Sequence, residues 1–440
     1  MSAAYRAGAL EVEGVALGEI AAATDTPVFV YAAGVMRTRL AALRGAFAGD
    51  DLLVCYAVKA NSALAVIRTL AEAGAGAEVV SGGELTRALA AGVPASRIVF
   101  SGVGKSRAEM AQALEAGIFQ FNVESVPELI QLGEVAARVG RPAPVALRIN
   151  PDVAADTHDR ISTGRRHDKF GIPYDQALDV YRMAARLGAI EIVGIHLHIG
   201  SQILSLAPFE AAYRRALGLI DELSRAGITI TRLDLGGGFG ARYRDEPALD
   251  LEGYAALVRE LTAGRDLQLV VEPGRYLVAE SGLLVTRVLF VKPGVERAWL
   301  ILDAGMNTFI RPMLYEAWHD ILPVREPAPG APRVPFDVVG PICESTDLFA
   351  RDRELPPLEA GDLVALTSAG AYGAVMASDY NSRPRAAEVL VDDGRFAIVR
   401  PRIEAVEQIG AETLPPWFRP QTAAEPSHHP GAAPSAAAQD

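Results

Sequence analysis

Eight short apolar segments alternate with amphipathic segments through the middle of this 440-residue chain. Apolar strands that alternate with helices favour a parallel sheet covered by helices on its faces. The predicted strands are LLVCYAV (52–58), AEVVS (77–81), IVFSG (98–102), FQFNV (119–123), PVALRIN (144–150), IEIVGIHLHIG (190–200), ITRLDLGG (230–237) and DLQLVVEPG (266–274). Eight such units in succession match the size of a closed (β/α)8 barrel.

The residues that end these strands favour a closed barrel over an open, doubly wound sheet. They carry amine, hydroxyl, amide, imidazole or carboxylate groups or are glycines: Lys59, Ser81, Asn122, Asn150, His198, Gly236 to Gly238 and Glu272. In a barrel the carboxyl ends of all eight strands meet around one pocket, whereas an open sheet spreads them along an edge. We therefore predict an α/β fold built on a TIM-type barrel.

Glycines mark where the predicted helices end. A glycine just past a helix readily takes the left-handed conformation that closes the last turn. Seven helix patterns end in this way, at Gly74, Gly92, Gly117, Gly140, Gly188, Gly227 and Gly264.

The pattern changes after Glu280. Segments such as LLVTRVLFVKPG, RAWLILDAG and VLVDDGRFAIV are typical of strands and hairpins without intervening helices. We predict that residues 33–280 form the barrel and that residues 1–32 and 281–417 form a second, all-β domain with VFVY (28–31) as one of its strands. Residues 418–440 are rich in alanine and proline, and we predict a disordered tail there.

Charge and cysteine content limit the possible partners. The formal net charge of -12 argues against a nucleic-acid or anionic-membrane surface. No segment approaches the roughly 18 apolar residues of a membrane helix, and the acidic N-terminal residues are unlike a secretory signal. Two cysteines, Cys55 and Cys343, suit a reducing compartment, so we expect a cytoplasmic protein.

Lys59 is the first candidate for chemistry. A lysine at the end of an apolar strand is most often a surface or structural residue. Partial desolvation and nearby positive charge at a barrel mouth would instead lower its pKa and make its amine a nucleophile. A Schiff-base role for Lys59 is therefore open.

The glycine segment LDLGGGFG (233–240) has two interpretations. It formally matches a dinucleotide-binding fingerprint, but Pro247 lies where the required helix would run. The alternative is a loop whose backbone N–H groups hold a phosphate, as the loops after strands seven and eight of barrel enzymes often do.

The ends of strands six and eight add a ring-packing group and a carboxylate. His196 and His198 share a strand face, but no third ligand follows at a fixed spacing, so we predict no metal site. One histidine packed against a planar ring is the simpler interpretation.

Glu272 has two interpretations. It either forms a salt bridge with Arg275 in a turn, or its carboxylate points into the barrel. An amine, a phosphate loop, a flat histidine and an inward carboxylate together suit pyridoxal phosphate.

An ordered set of motifs extends this argument across residues 25 to 415. They are YAVKAN, SGGEL, KFGI, HLHIGSQ, LGGGFG, EPGRY, GPICESTD and GAYG followed by YNSRPR. The set resembles the barrel-type (fold type III) pyridoxal-phosphate-dependent decarboxylases, and within them the diaminopimelate decarboxylases. The resemblance implies that Lys59 forms the internal aldimine, that His198 stacks on the cofactor ring and that Glu272 pairs with the pyridine nitrogen. It implies a phosphate site made of Ser201, Gly236, Gly237, Gly238, Gly274 and Arg275.

The resemblance also implies how the substrate binds. meso-Diaminopimelate carries an amino-acid group at each end, so the end that does not react must be recognised by complementary charge. Arg275, Arg311 and Tyr315 would bind the distal carboxylate. The distal ammonium would bind Glu344, while Cys343 would protonate the carbon that has lost CO2.

The family precedent further implies a homodimer with shared sites. Cys343, Glu344 and Tyr372 of one chain would face the partner's Lys59, and Tyr372 would border both cofactor and substrate. Ser345 and Thr346 stand where the family often has a small residue or glycine, which leaves the geometry of this loop open.

Three alternatives compete with this interpretation. A related decarboxylase for ornithine, arginine or carboxynorspermidine would not need Arg311 together with Arg275. A racemase on a similar barrel would need an arginine, where this chain has Glu272, near the ring nitrogen. A non-catalytic pyridoxal-phosphate carrier is typically a lone barrel, without a domain that carries Cys343. The predicted reaction is therefore decarboxylation of meso-2,6-diaminopimelate to L-lysine and CO2, the last step of lysine biosynthesis.

Overall fold

The structure, a computed structural model, describes residues 3–153, 169–295 and 297–418. The chain begins with a small antiparallel sheet, a helix, and a strand that joins the C-terminal sheet. These elements are β1 (Ala3–Arg6), β2 (Ala9–Val12), β3 (Val15–Ala16), α1 (Leu17–Thr24) and β4 (Val28–Ala32). The tail predicted at residues 418–440 lies, apart from Phe418, outside the described residues.

Eight parallel strands then close into a barrel in chain order, because the first of them pairs with both the second and the last. They are β5 (Leu52–Ala57), β6 (Gly76–Val79), β7 (Ile98–Phe100), β8 (Gln120–Val123), β9 (Ala143–Asn150), β11 (Ile190–His196), β12 (Arg232–Asp234) and β13 (Gln268–Val271). The short strand β10 (Ile172–Pro173) is added beside β9. Their nearly continuous apolar sequences are buried, as a sheet covered by helices requires.

Helices lie between these strands and turn apolar faces towards them. They are α2 (Ala33–Ala46), α3 (Leu64–Glu72), α4 (Gly82–Ala90), α5 (Arg107–Ala116), α6 (Val126–Val139), α7 (Ala177–Ala184), α8 (Ala207–Arg225), α9 (Leu251–Thr262) and α10 (Arg275–Val278). Six of the seven predicted helix-ending glycines have φ between +71° and +90°. The exception is Gly188, because α7 ends earlier, at Ala184, and Gly188 lies in the turn that follows. In the part of the chain that the structure describes, no helix has the length and apolarity of a membrane span.

A second sheet follows the barrel. Its elements are β14 (Gly282–Lys292), β15 (Ala298–Leu302), α11 (Arg311–Tyr315), β16 (Ile321–Pro323), β17 (Val334–Val339), β18 (Leu348–Leu355), β19 (Leu363–Leu366), β20 (Ala387–Asp392), β21 (Arg395–Arg400) and α12 (Ala405–Ile409). The sheet runs β18-β17-β15-β14-β4-β20-β21, and β19 pairs with β14 and β16. The predicted fold class, a TIM-type barrel with a second sheet domain, is confirmed, although two five-residue helices interrupt the second domain. The domain boundaries, residues 33–280 for the barrel and residues 1–32 with 281–417 for the β domain, stay a proposal.

The sheet domain contacts the open, carboxyl end of the barrel. The N–H of Tyr372 donates to the carbonyl of Ala60 (2.7 Å), and the Asn61 side chain donates to the carbonyl of Gly370 (3.1 Å). The loop between β19 and β20 is therefore fixed directly against the turn that carries Lys59. The Lys59 turn at the barrel mouth therefore faces the sheet domain of its own chain.

Candidate active site

Lys59 lies in a short turn of 3-10 helix, Val58–Ala60, immediately after β5. Its Nζ donates to both carboxylate oxygens of Glu78, at 3.0 and 2.8 Å. The lysine side chain is 34% exposed, whereas the carboxylate is fully buried. Burial acts to lower the pKa of Lys59, but the combined effect of Glu78, Tyr372 and Glu272 outweighs it and raises that pKa above the ordinary lysine value. The predicted lowering of this pKa is therefore wrong, because the group that contacts the amine in this structure is an anion.

Sequence reasoning gave no role to Glu78. It lies inside AEVVS, which otherwise reads as an apolar strand, and a carboxylate inside a buried barrel strand is the signal that could have identified it. Its position on β6, next to β5, brings it within reach of Lys59.

We predict that Glu78→Gln lowers the pKa of Lys59 in cofactor-free protein, because glutamine keeps the shape of the side chain and removes its charge. A larger fraction of the amine is then deprotonated at neutral pH, and acylation of Lys59 should be about tenfold faster for each pKa unit lost. Competitive labelling with acetic anhydride, read by peptide mass spectrometry across pH, measures this. The exposed Lys292 serves as internal control, and an unchanged profile for Lys59 would show that Glu78 does not set its pKa.

Glu272, just past β13, is buried below the barrel mouth. Its Oε1 accepts from the Asn122 side chain (3.0 Å), and its Oε2 lies 3.2 Å from Nε2 of His196. Burial acts to raise the pKa of Glu272, but the charge and hydrogen bond of His196, with Lys59 nearby, bring it down to about 2. The carboxylate is therefore ionised and directed into the barrel. Among the described residues the alternative salt bridge to Arg275 does not form, since Oε2 of Glu272 faces His196 and Arg275 donates instead to Ser201 and Tyr243.

A second carboxylate, Asp234, lies beside this pair. His196, Asp234 and Glu272 each have one atom that could coordinate a metal, and these three atoms lie within 4.8 Å of one another. The three residues are not spaced in the sequence as a metal-binding motif would be. Burial and the charge of Glu272 raise the pKa of Asp234 well above its ordinary value, because two buried carboxylates this close resist ionising together. The side chains of Gln120 and Asn122 donate to Asp234 at 3.0 and 3.3 Å. These hydrogen bonds account for the cluster without a metal, and the absence of a metal site stays a prediction.

His198 follows β11 and is held by the glycine loop. The N–H of Gly237 donates to its Nδ1 (3.2 Å), so the neutral ring carries its proton on Nε2. Burial, together with the positive charges of Arg148 and Lys59, lowers the pKa of His198 well below its ordinary value. The residue is thus a neutral, flat ring with a fixed orientation.

The glycine loop itself requires glycine. A Cβ on Gly236 would lie 2.0 Å from the carbonyl oxygen of Leu197, and one on Gly237 would lie 2.4 Å from that of Glu272. Gly236 and Gly238 also have φ of +69° and +103°. No helix opens at this loop, since the next one begins at Leu251, which excludes the dinucleotide-binding interpretation. Phosphate binding by this loop stays a prediction.

Two buried arginines, Arg275 at the barrel mouth and Arg311 on the sheet domain, both contact Tyr243. Arg275 donates to Oγ of Ser201 through Nε and Nη2 (3.2 Å each) and to the hydroxyl of Tyr243 through Nη1 (2.6 Å). The guanidinium carbon of Arg311 lies 5.2 Å from the centre of the Tyr243 ring and 5.7 Å from that of Tyr315. Arg311 is only 4% exposed and is the first residue of the short helix α11.

The charges of these arginines are uncompensated. Among the described residues, no carboxylate forms an ion pair with Arg275 or Arg311, and Nε of Arg311 is buried without a hydrogen-bond partner. Burial and the charge of Arg275 lower the pKa of Arg311. Two buried cations side by side without an anion are costly, which indicates a site for an anionic ligand.

Tyr372 belongs to the same chain as this cluster. The guanidinium carbon of Arg275 lies 4.9 Å from the centre of its ring, and its backbone is bonded to the Lys59 turn. The expectation that Tyr372 reaches the cofactor from the partner subunit is therefore wrong. The loop between β19 and β20 folds back onto its own barrel.

Cys343 and Glu344 are exposed and lie apart from this cluster. The N–H of Cys343 donates to the Asn381 side chain (3.1 Å), and the hydroxyl of Tyr380 donates to Glu344 (3.0 Å). Hydrogen bonds from Thr346 and Tyr380 lower the pKa of Glu344. Among the described residues, these contacts do not join the loop to Lys59, Glu272 or the arginines.

The geometry of this loop, left open by Ser345 and Thr346, is set by Asp347. Its carboxylate accepts from the N–H groups of Met306 and Ile342, both at 2.7 Å. The hydroxyl of Thr346 donates to Glu344. The unusual threonine therefore orients the side chain of Glu344.

Residues 34–279 match the family model of the pyridoxal-dependent decarboxylases, pyridoxal binding domain. The chain belongs to the pyridoxal-dependent decarboxylase family. A curated relative from Pseudomonas aeruginosa, named diaminopimelate decarboxylase, is 52% identical over 412 residues, which cover 94% of this chain and 99% of the relative. The predicted class of enzyme and its cofactor, pyridoxal phosphate, are thereby confirmed.

Solved structures of this family are similar over nearly their whole length. The structure of diaminopimelate decarboxylase from M. jannaschii in complex with L-lysine has a TM-score of 0.90 and 36% identity, and covers 95% of this chain and 99% of that chain. The Helicobacter pylori enzyme of the same name, also complexed with L-lysine, has a TM-score of 0.86 and 41% identity, with coverage of 89% and 98%.

Proposed function

We propose that the protein decarboxylates meso-2,6-diaminopimelate to L-lysine and CO2. The observation that carries this proposal is the pair of buried, uncompensated guanidiniums of Arg275 and Arg311. A cofactor phosphate accounts for one cation, and the second suits a carboxylate at the far end of the substrate. Ornithine and arginine have no such carboxylate. The names of the relatives and the L-lysine bound in two similar structures support the same substrate.

The residues at the barrel mouth fit pyridoxal phosphate. Lys59 would hold it covalently, and the ionised Glu272 would keep a proton on its pyridine nitrogen. The neutral ring of His198 would pack against the face of its ring. The phosphate would be held by the hydroxyl of Ser201, the glycines Gly236, Gly237, Gly238 and Gly274, and Arg275. When bound, this cofactor supplies the electron sink for the electron pair that remains when a carboxylate leaves as CO2.

The remaining residues bind the substrate and deliver a proton. Arg311 and Tyr315, with Arg275, would bind the distal carboxylate in a fixed orientation. Tyr372 would border both cofactor and substrate from the same chain as Lys59. Glu344 would bind the distal ammonium, and Sγ of Cys343 would give its proton to the carbon that has lost CO2.

The separation of Cys343 and Glu344 from this cluster supports a shared site. Both side chains are exposed on the sheet domain, whereas their proposed partners are the reacting carbon and the distal ammonium of the substrate. We propose a homodimer in which this loop closes the barrel mouth of the second chain. We also propose a cytoplasmic location, because the two cysteines are unpaired, as in a reducing compartment.

We predict that Arg311→Ala reduces kcat/KM for meso-diaminopimelate roughly 30- to 900-fold. This corresponds to a loss of about 2–4 kcal/mol of transition-state stabilisation. The variant loses the guanidinium proposed for the distal carboxylate, while the cofactor contacts remain. The measurement is CO2 release, with cofactor binding followed by absorbance. Arg232→Ala is a matched control, because Arg232 also packs on an aromatic ring, that of Phe119, but at the opposite end of the barrel.

The same assay tests the proposed substrate. Wild-type protein should release CO2 from meso-diaminopimelate and much more slowly from ornithine, arginine or carboxynorspermidine. Equal rates on ornithine would refute the substrate, and an unchanged kcat/KM in Arg311→Ala would remove Arg311 from the distal-carboxylate site.

A further inference from the structure

Tyr243 lies between the two buried arginines, and the sequence indicated no role for it. It follows the glycine loop after β12 and is buried. Its hydroxyl accepts the hydrogen bond from Nη1 of Arg275 at 2.6 Å. Its ring lies 5.2 Å from the guanidinium carbon of Arg311. One side chain therefore contacts both cations: its hydroxyl bonds Arg275, whose guanidinium carbon also lies 5.8 Å from the ring centre, and its ring lies near Arg311.

The ring of Tyr243 is itself fixed by neighbours from the sheet domain. His319 packs edge-on against it, with ring centres 5.3 Å apart, and Phe309 packs against His319 at 4.6 Å. Nδ1 of His319 is 2.8 Å from the carbonyl of Thr367, and since a carbonyl only accepts, this nitrogen carries the proton. These contacts prevent the tyrosine ring from turning away from the arginines.

The arginines depend on this ring because they have few other partners. The guanidinium of Arg275 is otherwise bonded to Ser201 and lies near the ring of Tyr372, and that of Arg311 is packed on tyrosine rings. Burial lowers the pKa of Arg311, and the positive charge of Arg275 lowers it further. A tyrosine that bonds one cation and packs its electron-rich face near the other can hold both without neutralising them. The site thus keeps its positive charge for anionic ligands.

We propose that Tyr243 is the positioning residue for both arginines. Its hydroxyl orients Arg275 for the cofactor phosphate, and its ring face orients Arg311 for the distal carboxylate of the substrate. This assignment rests on the proposed function and extends it. It makes a single side chain responsible for the spacing between the phosphate site and the substrate anion.

Two substitutions separate the two contacts. Tyr243→Phe removes the hydroxyl and keeps the ring, so the Kd for pyridoxal phosphate should rise about tenfold, the scale of one hydrogen bond to a charged group. At saturating cofactor, its KM for meso-diaminopimelate should rise less than that of Tyr243→Leu, because the ring that positions Arg311 is retained. Tyr243→Leu removes both contacts, so the Kd for the cofactor and the KM for the substrate should each rise about tenfold or more.

Double-mutant cycles make the assignment specific. The cofactor Kd effects of Tyr243→Phe and Arg275→Gln should not add, because both remove the same bond. The KM effects of Tyr243→Phe and Arg311→Ala should add, because the ring is retained. Tyr181→Phe is the control, since its buried hydroxyl donates to the carbonyl of Gly194 in the barrel wall. It should leave both the cofactor Kd and the KM unchanged.

The outcomes that overturn the proposal are distinct. An unchanged cofactor Kd in Tyr243→Phe, or full additivity with Arg275→Gln, would show that the hydroxyl does not position Arg275. An unchanged KM in Tyr243→Leu, or a KM that rises as much in Tyr243→Phe, would show that the ring face does not position Arg311.

If Tyr243→Leu fails to fold, the two double-mutant cycles with Tyr243→Phe still test the proposal. If wild-type protein does not use meso-diaminopimelate, the proposed function fails, while the cofactor titration still tests the Tyr243–Arg275 contact.

Discussion

Lys59→Ala should abolish decarboxylation and remove the visible absorbance of protein-bound pyridoxal phosphate. The amine of Lys59 lies at the carboxyl end of β5, beside the buried Glu78 and within the electrostatic reach of Glu272. Alanine has no amine to hold the cofactor covalently, so the loss of activity should be several orders of magnitude. The measurements are the absorbance spectrum of the purified protein with added cofactor and CO2 release from meso-diaminopimelate.

Reduction with borohydride identifies the attachment site directly. In wild-type protein, peptide mapping after reduction should find the cofactor on Lys59. Lys292→Ala, a change at an exposed lysine on β14, should keep both the absorbance and the activity. The assignment is wrong if Lys59→Ala protein still carries a reducible lysine adduct at the wild-type stoichiometry.

Mixing Lys59→Ala chains with Cys343→Ala chains should restore up to about a quarter of wild-type activity, although each variant is nearly inactive alone. Cys343 is exposed on the sheet domain and makes no contact with the Lys59 cluster of its own chain, so we expect it to act on the partner's site. Random exchange makes about half of the dimers mixed, and two-fold symmetry leaves each mixed dimer with one intact site and one doubly damaged site. The measurement is CO2 release after verified subunit exchange.

The structure supplies a matched negative control for this experiment. Arg311 contacts Tyr243 of the same barrel that carries Lys59, so both belong to one chain's side of the site. A mixture of Lys59→Ala and Arg311→Ala chains should therefore gain no activity beyond that of Arg311→Ala alone. Absence of recovery in the Lys59→Ala and Cys343→Ala mixture, with exchange demonstrated, would mean that each site is built within a single chain.

The sequence by itself determined the fold and most of the side chains at the barrel mouth. Buried parallel strands must be almost wholly apolar, and their crossover helices must be amphipathic, so the eightfold alternation between residues 52 and 274 follows from burial alone. The carboxyl ends of barrel strands converge, which is why Lys59, His198 and Glu272 could be grouped without coordinates. The ordered motifs then identified the family that the match over residues 34–279 confirms.

Only the tertiary structure decided which groups contact one another. Glu78 and Lys59 are neighbours because β5 pairs with β6, and this contact, with the effects of Tyr372 and Glu272, raises the lysine pKa instead of lowering it as predicted. Tyr372 lies on its own chain's barrel because the loop after β19 bonds to the Lys59 turn, and Tyr243 meets both arginines only because the sheet domain packs on the barrel mouth. Periodicity reports which face of a strand or helix is buried, and it carries no information about partners distant in sequence. Electrostatic effects depend on those partners and on the depth of burial, so the pKa directions and the position of Tyr372 on its own chain's barrel had to come from the fold.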